Sequence, residues 1–252
     1  MLEQEYIFRQ GLEACPGSAQ LHSHFANFLT DSVKKFTEAS EEHKKALDLD
    51  PANPTVLANY AVFCAYTLQD LRTAESLFKR ALASNERDQD DDLHYKYALF
   101  LARSGRAEDT TIRQHFKTAI FKGPKNCLAY ANYAWWLLSR GSWLEASRFV
   151  DGALKQVPLH MQQLCCELLL YKSLIVRLHG QDDSSYLAKI KAILNVPFPK
   201  VVWPLRKSLN IINTTEPLRE DLEFYAAICD IITDDNKQES LSNSIRWNNL
   251  IC

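Results

Sequence analysis

Residues 127–158 read CLAYANYAWWLLSRGSWLEASRFVDGALKQVP. Apolar residues recur along this stretch at intervals of three and four, the period of a helix with one buried stripe. Ala134, Ala146 and Ala153 are small enough to let neighbouring helices approach closely, and the aromatic residues beside them fill the remaining volume. Pro158 cannot continue a helix and so ends the second one. The stretch is therefore expected to form two packed helices of set length.

The same pattern recurs toward the N-terminus. The segments EYIFRQGLEACP, SEEHKKALDLDP, AESLFKRALASNE and IRQHFKTAIFKGP superimpose on ASRFVDGALKQVP. Their bulky residues Phe8, His43, Phe78, Phe116 and Val150 lie 35, 35, 38 and 34 residues apart. The small residues Gly11, Ala46, Ala81, Ala119 and Ala153 keep those intervals, as do Leu12, Leu47, Leu82, Ile120 and Leu154. Pro16, Pro51, Pro124 and Pro158 close four segments, and Glu86 stands where the third in chain order would have its proline. Between them lie AQLHSHFANFL, TVLANYAVFCAY, LHYKYALFLA and LAYANYAWWLL, each with a central alanine (Ala26, Ala61, Ala98, Ala134). Two helices per period near 34 residues is the signature of a helical solenoid, in which each unit buries its face only against its neighbours.

Residues 127–158 resemble a near-complete tetratricopeptide repeat, with Tyr130, Tyr133, Ala134, Gly141, Ala146, Val150, Ala153 and Pro158 at the motif's anchor points. Residues 54–86 match with one extra residue in the turn between helices, 19–51 match similarly, and 91–124 match more loosely, with an insertion around 105–111. A degenerate unit over 161–180 carries Leu164, Leu168 and Tyr171. The expected architecture is an all-α, right-handed α-solenoid over 1–180, followed by a helical C-terminal capping region over 181–252. The array opens on a lone helix over 3–15, which resembles the second helix of a unit without its first. This helix marks either a piece of a longer solenoid or a cap or dimer contact. In the capping region, Asp182-Asp183-Ser184-Ser185 supplies N-cap chemistry for a helix over YLAKIKAIL. Pro197, Pro199 and Pro204 then interrupt the chain around Trp203, and Thr215-Glu216-Pro217 starts another helix. Leu218, Leu222, Tyr225, Cys229 and Ile232 form its stripe, and a weak helix around 245–250 packs through Trp247.

Composition narrows the function. The 252 residues are 46% apolar and 24% charged, with a net charge of −2, which gives no electrostatic reason to expect nucleic acid or an anionic membrane as partner. Lys34-Lys35, Lys44-Lys45 and Lys79-Arg80 are interleaved with acids, so no basic stripe for RNA emerges. Seven glycines disfavour phosphate-cradling loops. The first ten residues, MLEQEYIFRQ, lack a signal-peptide core, and the most apolar run, LCCELLLY, is far short of a spanning helix. Seven cysteines, odd in number and without a C-x-x-C pair, point to free thiols in a reducing cytoplasm. The sequon at Asn213 then has no secretory context.

Catalytic and metal patterns are missing from the sequence. It holds no G-x-S-x-G, H-E-x-x-H, Walker-type loop or G-x-G-x-x-G. The acidic run Asp88–Asp92 lacks the glycine and distal glutamate of a calcium loop and reads as a helix-start cluster. Cys165 and Cys166 point to different helix faces, and so do His22 and His24. No enzyme, metal or cofactor is expected.

In tetratricopeptide arrays the first helices of successive units line a concave groove that holds an extended peptide. The resemblance therefore implies a groove of Asn27, Asn59, Val62, Tyr66, Lys96, Leu99, Asn132 and Trp135, flanked by Ser23, His24, Asp92, Arg103 and Leu128. The asparagines carry both a donor and an acceptor for a peptide main chain, and Val62, Tyr66, Leu99 and Trp135 supply apolar anchors. Trp136 competes with Trp135 for the buried role. The carboxylate clamp that chaperone co-factors of this family use for Glu-Glu-Val-Asp tails fits poorly. Ser23 and Asp92 occupy its lysine positions, and Asp92 would repel a carboxylate. The expected function is a non-enzymatic interaction scaffold or adaptor that binds a peptide segment of another protein. Assembly into a larger complex or homodimer through the convex face or the N-terminal helix is the alternative.

Overall fold

A computed structural model describes residues 2–84, 91–198, 221–234 and 241–250. Among these residues the ordered elements are all helical. The chain divides into two compact units, Met1–Pro124 and Lys125–Cys252. The first contains α1 (Leu2–Ala14), α2 (Ala19–Phe28, running on into a π-helical turn at Leu29–Val33), α3 (Phe36–Leu49), α4 (Pro54–Tyr66), α5 (Leu71–Ser84), α6 (Asp91–Ser104) and α7 (Asp109–Lys122). The second contains α8 (Cys127–Ser139), α9 (Trp143–Leu154), α10 (Gln162–Leu178), α11 (Ser184–Leu194), α12 (Leu222–Thr233) and α13 (Ile245–Asn248). No described helix is long and apolar enough to cross a membrane.

The helix boundaries follow from local chemistry. Asn53 caps α4 by accepting from the backbone N–H groups of Thr55 and Val56, with Pro54 in the first turn. Ser18 caps α2 and Asn126 caps α8 in the same way. Gly141, with φ +70°, ends α8 in the left-handed conformation that glycine adopts without a Cβ penalty. The extra residues expected between paired helices are absorbed differently in two pairs. After α2 the helix widens into the π turn and closes on Lys34 at φ 61°, where Lys35 N–H donates to Leu29 O. After α4 the chain turns at Gln69, φ 57°.

Packing confirms the two-helix period. In the first unit α2 packs on α3, α4 on α5 and α6 on α7, while α2 also meets α4, and α4 meets α6. The small residues at the crossings, Ala26, Ala46, Ala61, Ala81, Ala98 and Ala119, are buried. The aromatic residues beside them interlock: Phe78 lies 5.3 Å from both Tyr97 and Phe100. His43, at the position of Phe78 and Phe116, is buried between Tyr60 at 5.3 Å and Phe63 at 4.9 Å. Neither of its ring nitrogens has a hydrogen-bond partner among the described residues. The expected lone helix, α1, sits on α2 through Phe8, 5.4 Å from Phe25 and 5.3 Å from Phe28.

In the second unit α8 pairs with α9, and α10 packs on α9, α11 and α12. Gly152 on α9 comes so close to α8 that a Cβ there would lie 2.6 Å from the Tyr130 ring. Trp136 is in the core, 6.0 Å from Tyr133. One polar knot joins the C-terminal helices. The Asp183 carboxylate accepts from Ser173 Oγ of α10, from Tyr225 Oη of α12 and from Arg246 Nη2 of α13. Arg246 Nη1 and Arg177 Nε both reach Asp221 at 2.9 Å. Asp182, not Asp183, turns its side chain to the start of α11, where it accepts from Ser184. Tyr225, Cys229 and Ile232 of the expected stripe are buried. Glu86, Asp88, Pro199, Trp203, Pro204, the helix start at Thr215–Pro217, Leu218 and Cys252 lie outside the described residues.

Candidate functional site

The first helices α2, α4 and α6 place the expected groove residues of the first unit on successive packed elements. Their polar residues form a cross-helix ladder. Asn59 Nδ2 donates to Ser23 Oγ at 3.0 Å, and Lys96 Nζ donates to Asn59 Oδ1 at 2.7 Å. Lys96 Nζ also pairs with Asp92 Oδ2 at 2.6 Å, one turn earlier on α6. Ser23 is fully buried and Asn59 is 2% exposed. The Asn59 amide, expected to face a peptide, joins α4 to α2 and α6. Lys96 is likewise held by a carboxylate and an amide, which offset its charge locally.

The apolar members of the set lie nearer the surface. Val62 and Leu99 are half-buried, and Tyr66 is 40% exposed. The Arg103 guanidinium sits 5.4 Å from the centre of the Tyr66 ring, a cation–π contact that joins α4 to α6. Asn27 is half-buried on α2, one turn beyond Ser23, and His24 beside it is exposed.

In the second unit, Asn132 Nδ2 donates to Leu128 O, one turn back on its own helix, at 3.0 Å. Trp135 is half-buried, while its neighbour Trp136 takes the core position. The competition between the two tryptophans is thus decided by packing against Tyr133.

Two histidine pairings escape sequence reading because their members lie about twenty residues apart. His22 is buried, with Nδ1 on Glu42 Oε2 and Nε2 on Pro16 O. His94 Nδ1 lies 2.9 Å from His115 Nδ1, joining α6 to α7. Among the described residues no group of three or more His, Cys, Asp and Glu side chains is placed to hold a metal ion. The thiols at Cys64 and Cys127 are buried, and burial raises both, Cys64 to about 11.

No family model and no curated protein matches this sequence. Solved structures resemble it. PilW, a widely conserved type IV pilus biogenesis factor, is 16% identical with a TM-score of 0.62, over 82% of this chain and 88% of that one. PilF of Pseudomonas aeruginosa is 15% identical with a TM-score of 0.57, over 91% and 95%. YrrB, a TPR protein with an unusual peptide-binding site, is 18% identical with a TM-score of 0.46, over 83% and 94%. At these identities the likeness concerns the fold. With helix pairs at the repeat period and matching structures over most of its length, the chain has the all-α helical-repeat fold of tetratricopeptide proteins.

Proposed function

We propose that this chain is a non-enzymatic protein-interaction scaffold whose α2–α4–α6 face holds an extended peptide segment of a partner protein. The observation that carries this reading is the Ser23–Asn59–Lys96–Asp92 ladder. It joins three successive first helices through satisfied polar groups, so the face is preorganised and its ordering cost is met before a ligand arrives. Val62, Tyr66 and Leu99 are the apolar contacts on this face, with Asn27 and Arg103 as its polar ones. In the second unit Trp135 and Asn132 offer a contact of their own. The free thiols suit a reducing, cytoplasmic setting.

A peptide-display library selected on the wild-type protein tests this reading. Selected peptides should bind the Val62→Ser/Tyr66→Ala/Leu99→Ser variant at least about tenfold more weakly by fluorescence anisotropy, with the helical circular dichroism retained. Equal affinity for the variant discards the groove.

A second reading rests on α1, where Tyr6 and Ile7 are 64% and 62% exposed. These side chains would be the contact of a homodimer or larger assembly. A monomeric mass at micromolar concentration excludes that dimer.

A further inference from the structure

We propose that the outer face of α5 is a second docking site, taking an acidic segment of a partner protein. The core side of α5 is Ala74, Leu77, Phe78 and Ala81, all buried. Its outer side bounds a depression of about 570 Å³ lined by Arg72, Lys79, Arg80 and, from the turn after α6, Arg106, with Ser76 and Glu75. Among the described residues the lining sets four cations against one carboxylate, on a chain whose overall charge is −2.

The hydrogen bonds show how the cations are held and what they leave unused. Glu75 receives Lys79 Nζ at 2.8 Å and Arg106 Nη1 at 3.2 Å, which sets these two cations on either side of it. Arg80 Nη2 donates to Pro51 O at 3.0 Å, which fixes its direction and leaves further donors of its fork. Arg72 makes no side-chain hydrogen bond or ion pair among the described residues. The site thus offers oriented guanidinium groups, whose planar forks match carboxylates in bidentate geometry.

Spacing sets the kind of ligand. Positions 72, 76, 79, 80 and 83 share one face of α5. The eleven steps from position 72 to 83 span about 16 Å, the reach of about five residues of extended chain. A short run with two or three acidic side chains fits that length and charge. A long polyanion has no continuation here, because the remaining charge of the chain is net negative. A membrane surface lacks an apolar anchor, since among the described residues the apolar lining is Ala83 alone. The site lies on the second helix of its pair and is independent of the first-helix groove.

The probe is a fluorescein-labelled peptide of alternating glutamate and serine, titrated with the full chain by anisotropy. Binding should saturate at low salt and weaken steeply between about 20 and 200 mM salt. Arg72→Glu/Arg80→Glu should lose at least about tenfold in affinity while keeping the wild-type melting curve. Charge reversal elsewhere, Lys44→Glu/Arg148→Glu, and the groove variant should both bind like wild type. Equal binding by Arg72→Glu/Arg80→Glu overturns the proposal. So does a preference for a single-stranded RNA of equal charge, or for phosphatidylserine vesicles, over the peptide.

Discussion

Arg246 Nη2 donates to Asp183 Oδ1 at 2.6 Å, and Asp183 is 2% exposed. The guanidinium also lies 4.5 Å from the centre of the Phe224 ring and 5.5 Å from that of Tyr225. A carboxylate this deeply buried is tolerable only with its partners in place. The Tyr225 hydroxyl in the same knot is raised first by burial and then by its bond to Asp183, so it remains protonated and donating. Arg246→Ala is expected to destabilise the second unit by about 3 kcal/mol. Urea unfolding followed by far-ultraviolet circular dichroism measures this, and an unchanged midpoint would show that α13 is not anchored through Asp183.

Asn59→Ala removes the middle of the ladder and strands Ser23 Oγ, while Lys96 Nζ keeps its pair with Asp92. The expected loss is about 1–3 kcal/mol, read as a lower thermal midpoint. Because Ser23 and Asn59 share one bond, the Ser23→Ala/Asn59→Ala loss should fall short of the sum of the single losses. Strict additivity would mean the two side chains do not interact.

Glu167 is buried on α10, and burial alone raises its carboxyl to about 8 from 4.5. The folded chain holds this proton across a range where the unfolded chain has released it. The group's contribution to stability is therefore fully present below 4.5 and is lost as pH rises toward 8. Glu167→Gln should stabilise the chain above neutral pH by about 1–3 kcal/mol and flatten the decline of the melting midpoint with pH. An unaltered pH profile would mean the carboxyl is solvated.

His43 shows the opposite dependence. Burial lowers its imidazole to about 4 from 6.5, so its neutral form is favoured in the fold. That stability is present above 6.5 and is lost as pH falls toward 4. His43→Phe supplies the ring found at positions 78 and 116 and removes two unpartnered buried nitrogens. It should raise the midpoint at pH 7 by about 1 kcal/mol of stability, and by more at pH 5. A lower midpoint at both pH values would show that the pocket is shaped to the smaller ring.

Gly152→Ala gains helix propensity of about 1 kcal/mol, yet its Cβ meets the Tyr130 ring at 2.6 Å. Overpacking costs about 1–3 kcal/mol, so the net effect should be destabilising. Differential scanning calorimetry on the variant tests this, and a rise in the transition temperature would show that Tyr130 moves aside freely.

The pairing of helices is legible in the sequence, because the alanine and aromatic intervals fix which faces meet. The caps at Ser18, Asn53 and Asn126 and the left-handed turn at Gly141 emerge in the structure. The candidate site is legible only to the level of the helix. The resemblance selects α2, α4 and α6, but the placement of residue 59 between helices depends on how closely α2 and α4 approach. That distance is set by packing 36 residues apart.

By itself, the sequence determined an all-helical repeat, since a 34-residue period of small and bulky residues leaves no other way to bury its stripes. Tertiary structure alone decided which polar side chains remain available. Asn59 and Asp183 have ordinary surface chemistry in one dimension, and each is buried because its partners, Ser23 and Lys96 or Ser173, Tyr225 and Arg246, arrive from distant helices. The cationic hollow on α5 likewise needs Arg106 brought beside Glu75 from 31 residues away. Charge in sequence sums to almost nothing, but folding sorts it into places where it is spent and places where it is free to bind.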